Sequence, residues 1–163
     1  VLQPEQAYRD HFFGLGSLSG AAPTKCILRA DGFRALGGFS GKQYVGDTEM
    51  WLRIAARYPV VKMVGDLVWC RPSNGEYQQG MASMAYIFAN YHLAVDALTH
   101  CACPLQGQEC RKAIQLVKFQ RARLIWRLAL LERRPGLAFR LYQDARLSAH
   151  ELVRGLVRVR IDP

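Results

Sequence analysis

Acidic residues are scarce in this chain, 13 against 22 lysines and arginines in 163 residues, for a formal net charge of +9. The shortage is local. Between Arg111 and Arg160 only Glu132, Asp144 and Glu151 oppose thirteen basic side chains, a net +10 that leaves the remainder about neutral. Such a block suits an anionic partner, whether a membrane surface, a phosphorylated lipid or nucleic acid, or else forms the solvated face of packed helices. Long apolar runs are also missing. "LIWRLALLERR" is cut by Arg127, so nothing approaches the roughly 20 residues a membrane helix needs. "VLQPEQAYRD" lacks a basic start followed by an apolar block, so no signal peptide is read, and a chain opening on Val1 is expected to begin inside a longer one. The cysteines, Cys26, Cys70, Cys101, Cys103 and Cys110, are five, an odd count without secretory context. Reduced thiols in a cytosolic protein are expected rather than a disulfide framework.

What is present is half hydrophobic and 21% charged, enough for a sizeable core and too apolar for disorder. Up to about residue 76 short elements alternate with glycines. "PEQAYRDHFFGLG" and "ADGFRALGGF" read as short helices, and "TKCILR", "VVKMV" and "LVWCR" as strands at 24–29, 60–64 and 67–71. This is an α/β pattern whose open sheet edge would need cover from a second copy, a homodimer, or from the chain's own helices. After Pro72 the period turns helical. Met84, Phe88, Tyr91, Val95 and Leu98 form one stripe, Ile114, Val117, Leu124, Leu128 and Leu131 a second, and Leu137 through Leu152 to Val159 a third on a helix started by Pro135. Arg140, Arg154 and Arg158 cluster away from that third stripe.

The stretch "GDTEMWLRIAARYPV", residues 46–60, is expected to be a helix with Asp47, Trp51, Ile54 and Tyr58 toward the core and Glu49, Arg53 and Arg57 opposite. An aspartate at a helix start gains from the unpaired N–H groups there, stays ionised and can point into a cleft, but it is also an ordinary helix cap. Glu49 precedes Arg53 by four residues, the spacing of a surface ion pair.

Three pieces in order, "GFRALGGFSG" (32–41), "GDTEMWLRIAARYPVV" (46–61) and "LVWCRPSNG" (67–75), resemble the C-terminal, acceptor-side half of a family 2 glycosyltransferase of GT-A fold. The resemblance implies that residues 1–76 are a partial GT-A-like domain with a short mixed sheet, followed by a three-helix basic extension over 77–163. It implies inverting transfer from a nucleotide sugar to an acceptor hydroxyl, with Asp47 as general base and Glu49 as the second candidate. Arg71 would hold the donor's pyrophosphate, and Trp51 joins it as a candidate for donor or acceptor binding. The family's acidic Glu-Asp pair reads Gly46-Asp47 here, and the His often found beyond the strand-ending Arg is replaced by Pro72-Ser73-Asn74. No Asp-x-Asp occurs in the chain. Mg²⁺ or Mn²⁺ is therefore expected only in a complete enzyme, on a donor-binding half preceding Val1, and this chain alone is expected to bind no metal and to turn nothing over. Cytoplasmic placement at the inner face of a membrane goes with this reading.

His100, Cys101, Cys103 and Cys110 equal a Cys3His zinc set in number, but a Cys-x-Cys pair with an adjacent His is tighter than zinc spacing, so a loop with incidental thiols is expected. The alternative to a transferase is a non-catalytic basic helical module binding nucleic acid or a protein. The charge block supports it, while the absence of any helix-turn-helix, RNA-binding or zinc-finger signature makes nucleic acid the less favoured partner.

Overall fold

The computed structural model describes residues 1–14, 18, 23–63 and 84–157. Among these residues every regular element is helical, and the expected α/β sheet of GT-A type is overturned. "TKCILR" contributes to a 3-10 turn, Pro23–Lys25, and then runs on as irregular chain in which Ile27 is 90% exposed. An apolar run makes a strand only where a neighbouring strand takes up its backbone groups, and no described residue pairs with this one. Of the expected strand 60–64 there is a single antiparallel bridge, Val60 with Leu2, closed by N–H···O bonds of 2.8 and 2.9 Å. The expected strand 67–71 lies outside the described residues. With no sheet described, the argument for a second copy covering its edge lapses. The chain divides into two compact units, residues 1–106 and 107–163.

In the first unit α1 (Pro4–Phe12), α3 (Gly46–Ala55) and α4 (Met84–Thr99) supply buried residues, α1 and α4 both pack on α3, and α2 (Ala30–Ala35) buries none of its own. Pro4 opens α1, where its missing N–H costs no hydrogen bond. The Tyr8 hydroxyl donates to the Leu52 carbonyl across the α1–α3 contact at 3.2 Å, and burial pushes its pKa upward. Lys62 pairs with Asp10 at 2.7 Å and ties the segment after α3 back to α1. The buried face of α3 is Thr48, Met50, Trp51, Leu52 and Ala55, so of the expected stripe Trp51 and the neighbouring Met50 are buried, while Asp47 and Ile54 are only half-buried. Having α1 and α4 as two partners turns that face, and Tyr58 is left exposed. The stripe from Met84 to Leu98 lies on α4, within this compact unit.

His11, in the last turn of α1, sets its ring edge-on to Phe12 with centroids 4.7 Å apart. Its buried Nδ1 has no partner among the described residues, and burial pushes its pKa down to about 4. The folded state thus holds a neutral imidazole, while the unfolded chain protonates below about pH 6.5. Stability should fall as pH drops from about 6.5 to about 4, by roughly 2–3 kcal/mol, and this contribution should level off below that. Urea unfolding of the wild type and His11→Phe at neutral and acid pH checks this. The variant should lose that much less, and equal losses would remove His11 from the account.

In the second unit α5 (Gly107–Trp126) runs into a π-helical segment, Arg127–Leu131, followed by α6 (Pro135–Ala145) and α7 (Ala149–Arg154). Both α6 and α7 pack on α5. The buried positions of α5 are Ala113, Arg121, Ala122 and Ile125, with Leu128 beyond them. The expected second stripe holds only in part, because the wider π turn rotates the residues that follow, and Leu131 turns outward. Small residues let α7 approach closely, and a Cβ on Gly155 would stand 2.7 Å from the Cβ of Ala122. The expected single helix from Pro135 is two helices. Arg146 takes a left-handed φ of 49°, and Ser148 caps α7 in a reciprocal box with Glu151. Arg140 and Arg154 therefore lie on different helices, and Arg158 is outside the described residues.

Candidate functional site

The segment 30–55 forms a helix, a glycine turn and a second helix whose parts hold one another. Gly37 and Gly38 adopt φ of +77° and +69°, a region closed to most side chains, and end α2. Their N–H groups donate to the carbonyls of Arg34 at 2.9 Å and Phe33 at 3.1 Å. From the last turn of α3 the half-buried Arg53 reaches back over this turn. Its Nη1 donates to the Gly38 carbonyl at 3.3 Å and its Nη2 to that of Leu36. Phe39 then sets its ring edge-on against Phe33 at 5.2 Å and against Trp51 at 6.1 Å. Glycines, Phe39, Trp51 and Arg53 thus form one packed corner, and the corner fixes where α3 begins.

Two acids stand in the first turn of α3, and their surroundings differ. Glu49 is fully engaged, with one carboxylate oxygen on the Ser40 hydroxyl and the other on Lys42 Nζ at 2.8 Å. Burial alone would push its pKa up, but the bonds from Lys42 and Ser40 outweigh this and hold the carboxyl below its usual range. The expected Glu49–Arg53 ion pair is replaced by these partners and by the Arg53 clamp. Asp47 is half-buried, and its Oδ1 accepts from the Thr48 N–H at 2.7 Å and weakly from the Thr48 hydroxyl at 3.4 Å. Its Oδ2 has no partner among the described residues. The helix cap itself is Val45, not Asp47. Asp47 also lies near Cys26, whose thiol is pushed up by burial and then by the Asp47 charge.

Trp51 is 5% exposed and belongs to the core, while its neighbour Phe39 is 46% exposed and offers the accessible ring of the pair. Arg71 lies outside the described residues, as does most of the 14–23 loop expected to line a cleft in front of Asp47. Cys26, just after the 3-10 turn, is the described residue that links the end of that loop to Asp47. Cys26, Cys101, Cys103 and Cys110 are outside any disulfide, and His100 Nδ1 caps the N–H of Ala102 at 3.0 Å. Among the described residues no three His, Cys, Asp or Glu side chains come together to hold an ion. Ser40, Lys42 and Phe39 were not legible as site residues. The first two carry no motif of their own, and the signal for Phe39 was its place beside the glycine pair. No family model, curated protein or solved structure matches the chain.

Proposed function

We propose that the first unit carries the acceptor side of an inverting glycosyl transfer from a nucleotide sugar, with Asp47 as the general base. The observation that carries the choice of residue is the contrast between the two acids of α3. Both oxygens of Glu49 are bound, whereas Oδ2 of Asp47 is without a protein partner among the described residues and so keeps its capacity to accept a proton. Asp47 takes the acceptor proton as the hydroxyl oxygen forms its bond to the anomeric carbon. The bond from that carbon to the donor's diphosphate breaks on the opposite face, and the nucleoside diphosphate leaves. The resemblance of the Gly-Gly-Phe, Asp-x-Glu and Leu-Arg pieces supports the reaction class. The Arg53 clamp supplies a physical reason for those pieces to occur together.

Arg71 and the Phe39–Trp51 pair are this chain's proposed contribution to donor or acceptor binding. Among the described residues no helix is long and apolar enough to cross a membrane, and a cytoplasmic site of action is proposed with the transferase reading. The net +10 of residues 111–160 favours a second reading, a basic binding module without catalysis. Release of nucleoside diphosphate separates the two. The protein expressed from the start of its reading frame should release it from at least one of a panel of UDP-, GDP- and TDP-sugars, faster when acceptor alcohols are added. No release from any donor would overturn the transferase and leave the binding module.

A further inference from the structure

The junction of α5 with the π segment is the least satisfied surface of the second unit. Leu130 and Leu131 are 61% and 78% exposed, side by side, at the end of a helix whose other apolar residues are mostly covered. They border an open groove of about 530 Å³ that Leu124 and Trp126 floor and Arg123 and Arg127 rim. The floor is rigidly held. The Trp126 indole N–H donates to the Leu152 carbonyl at 2.8 Å, and Lys118 pairs with Glu151 at 2.7 Å, so α7 is pinned to α5 beside the groove. On α7 and just beyond it, Val153, Leu156 and Val157 are also exposed. Arg127 meets Glu132 at 2.9 Å, and Arg123 lies over the Phe119 ring at 5.8 Å.

We propose that this junction docks on an anionic phospholipid bilayer, with Leu130 and Leu131 entering the acyl boundary and Arg123 and Arg127 meeting the phosphate headgroups. Charge complementarity selects the occupant. A second copy of the chain would bring its own +10 block against this one, and a nucleic acid would match the arginines but offer no apolar phase for the leucines. An anionic bilayer supplies both. The described helices include none able to cross it, so the contact lies in the interface. The π turn spans both leucines, and its wider winding carries Leu131 off the line of Ile114, Val117, Leu124 and Leu128. This docking is independent of the transferase reading.

Sedimentation with vesicles of phosphatidylcholine alone, or mixed with phosphatidylglycerol, tests it at low and raised salt. The wild type should partition into the anionic vesicles about tenfold or more over the neutral ones, and should lose the excess in salt. Leu130→Ser with Leu131→Ser should cut partitioning by about tenfold or more without changing the circular dichroism, because both side chains are exposed. Arg123→Gln with Arg127→Gln should cut it by about tenfold while leaving the leucines in place. An emission blue shift on anionic vesicles should vanish in Trp126→Phe. Equal binding to neutral vesicles, unchanged binding by the leucine pair, or binding to duplex DNA in a protein that ignores vesicles would each overturn the proposal.

Discussion

Arg53→Met should destabilise the first unit by about 2–4 kcal/mol, because it removes a charged donor from two backbone carbonyls at once. The guanidinium spans the Leu36 and Gly38 carbonyls from a half-buried position, and among the described residues no other side chain is seen to donate to either. The turn it closes cannot tighten on its own, since Gly37 and Gly38 already sit at positive φ and the helix before them is only Ala30–Ala35. Phe39 and Trp51 pack edge-on beyond the turn, so loosening it should also loosen that pair and the Ser40–Glu49–Lys42 group that follows. Arg53→Lys should recover less than half of the loss. An ammonium reaches one carbonyl as a point donor, whereas the planar fork of arginine reaches two. Urea unfolding of the three proteins, with hydrogen exchange followed over residues 36–41, reads the result. Arg53→Met unfolding within about 0.5 kcal/mol of the wild type would show that the turn stands without the clamp.

The helical parts of the molecule were more legible than the rest, for physical reasons visible in particular residues. The period of three and four from Met84 to Leu98 is a local signal, and it forms α4. "TKCILR" shows the opposite case. Six apolar and polar residues between turns satisfy the strand pattern equally as a paired strand or as exposed chain, and only a partner decides, which no local pattern contains. The continuous helix expected from Pro135 ignored a signal that was present, since Ser148 followed three residues later by Glu151 is a capping box and marks a new start at Ala149. The π segment carries no such mark, and with it the outward turn of Leu130 and Leu131 was out of reach. At the site, the acids and glycines were legible as types. Which acid is engaged was not, because Ser40 and Lys42 reach Glu49 from a loop whose path depends on the Arg53 clamp and the Phe39–Trp51 contact.

The central claim is that Asp47, not Glu49, takes the acceptor proton. Asp47→Asn keeps an oxygen for the Thr48 N–H, so the first turn of α3 should survive, but the amide cannot accept a proton at neutral pH. Turnover in the complete enzyme should fall by roughly 10² to 10⁴ with little change in unfolding midpoint. Glu49→Gln keeps an oxygen for the Ser40 hydroxyl and loses the hydrogen bond and the charge facing the exposed Lys42, a change expected to cost less than about tenfold. Release of nucleoside diphosphate by the two variants beside the wild type, at saturating donor and acceptor, is the most direct test. The account predicts a large loss for Asp47→Asn and a small one for Glu49→Gln. Wild-type turnover in Asp47→Asn, with the loss appearing in Glu49→Gln instead, would contradict it.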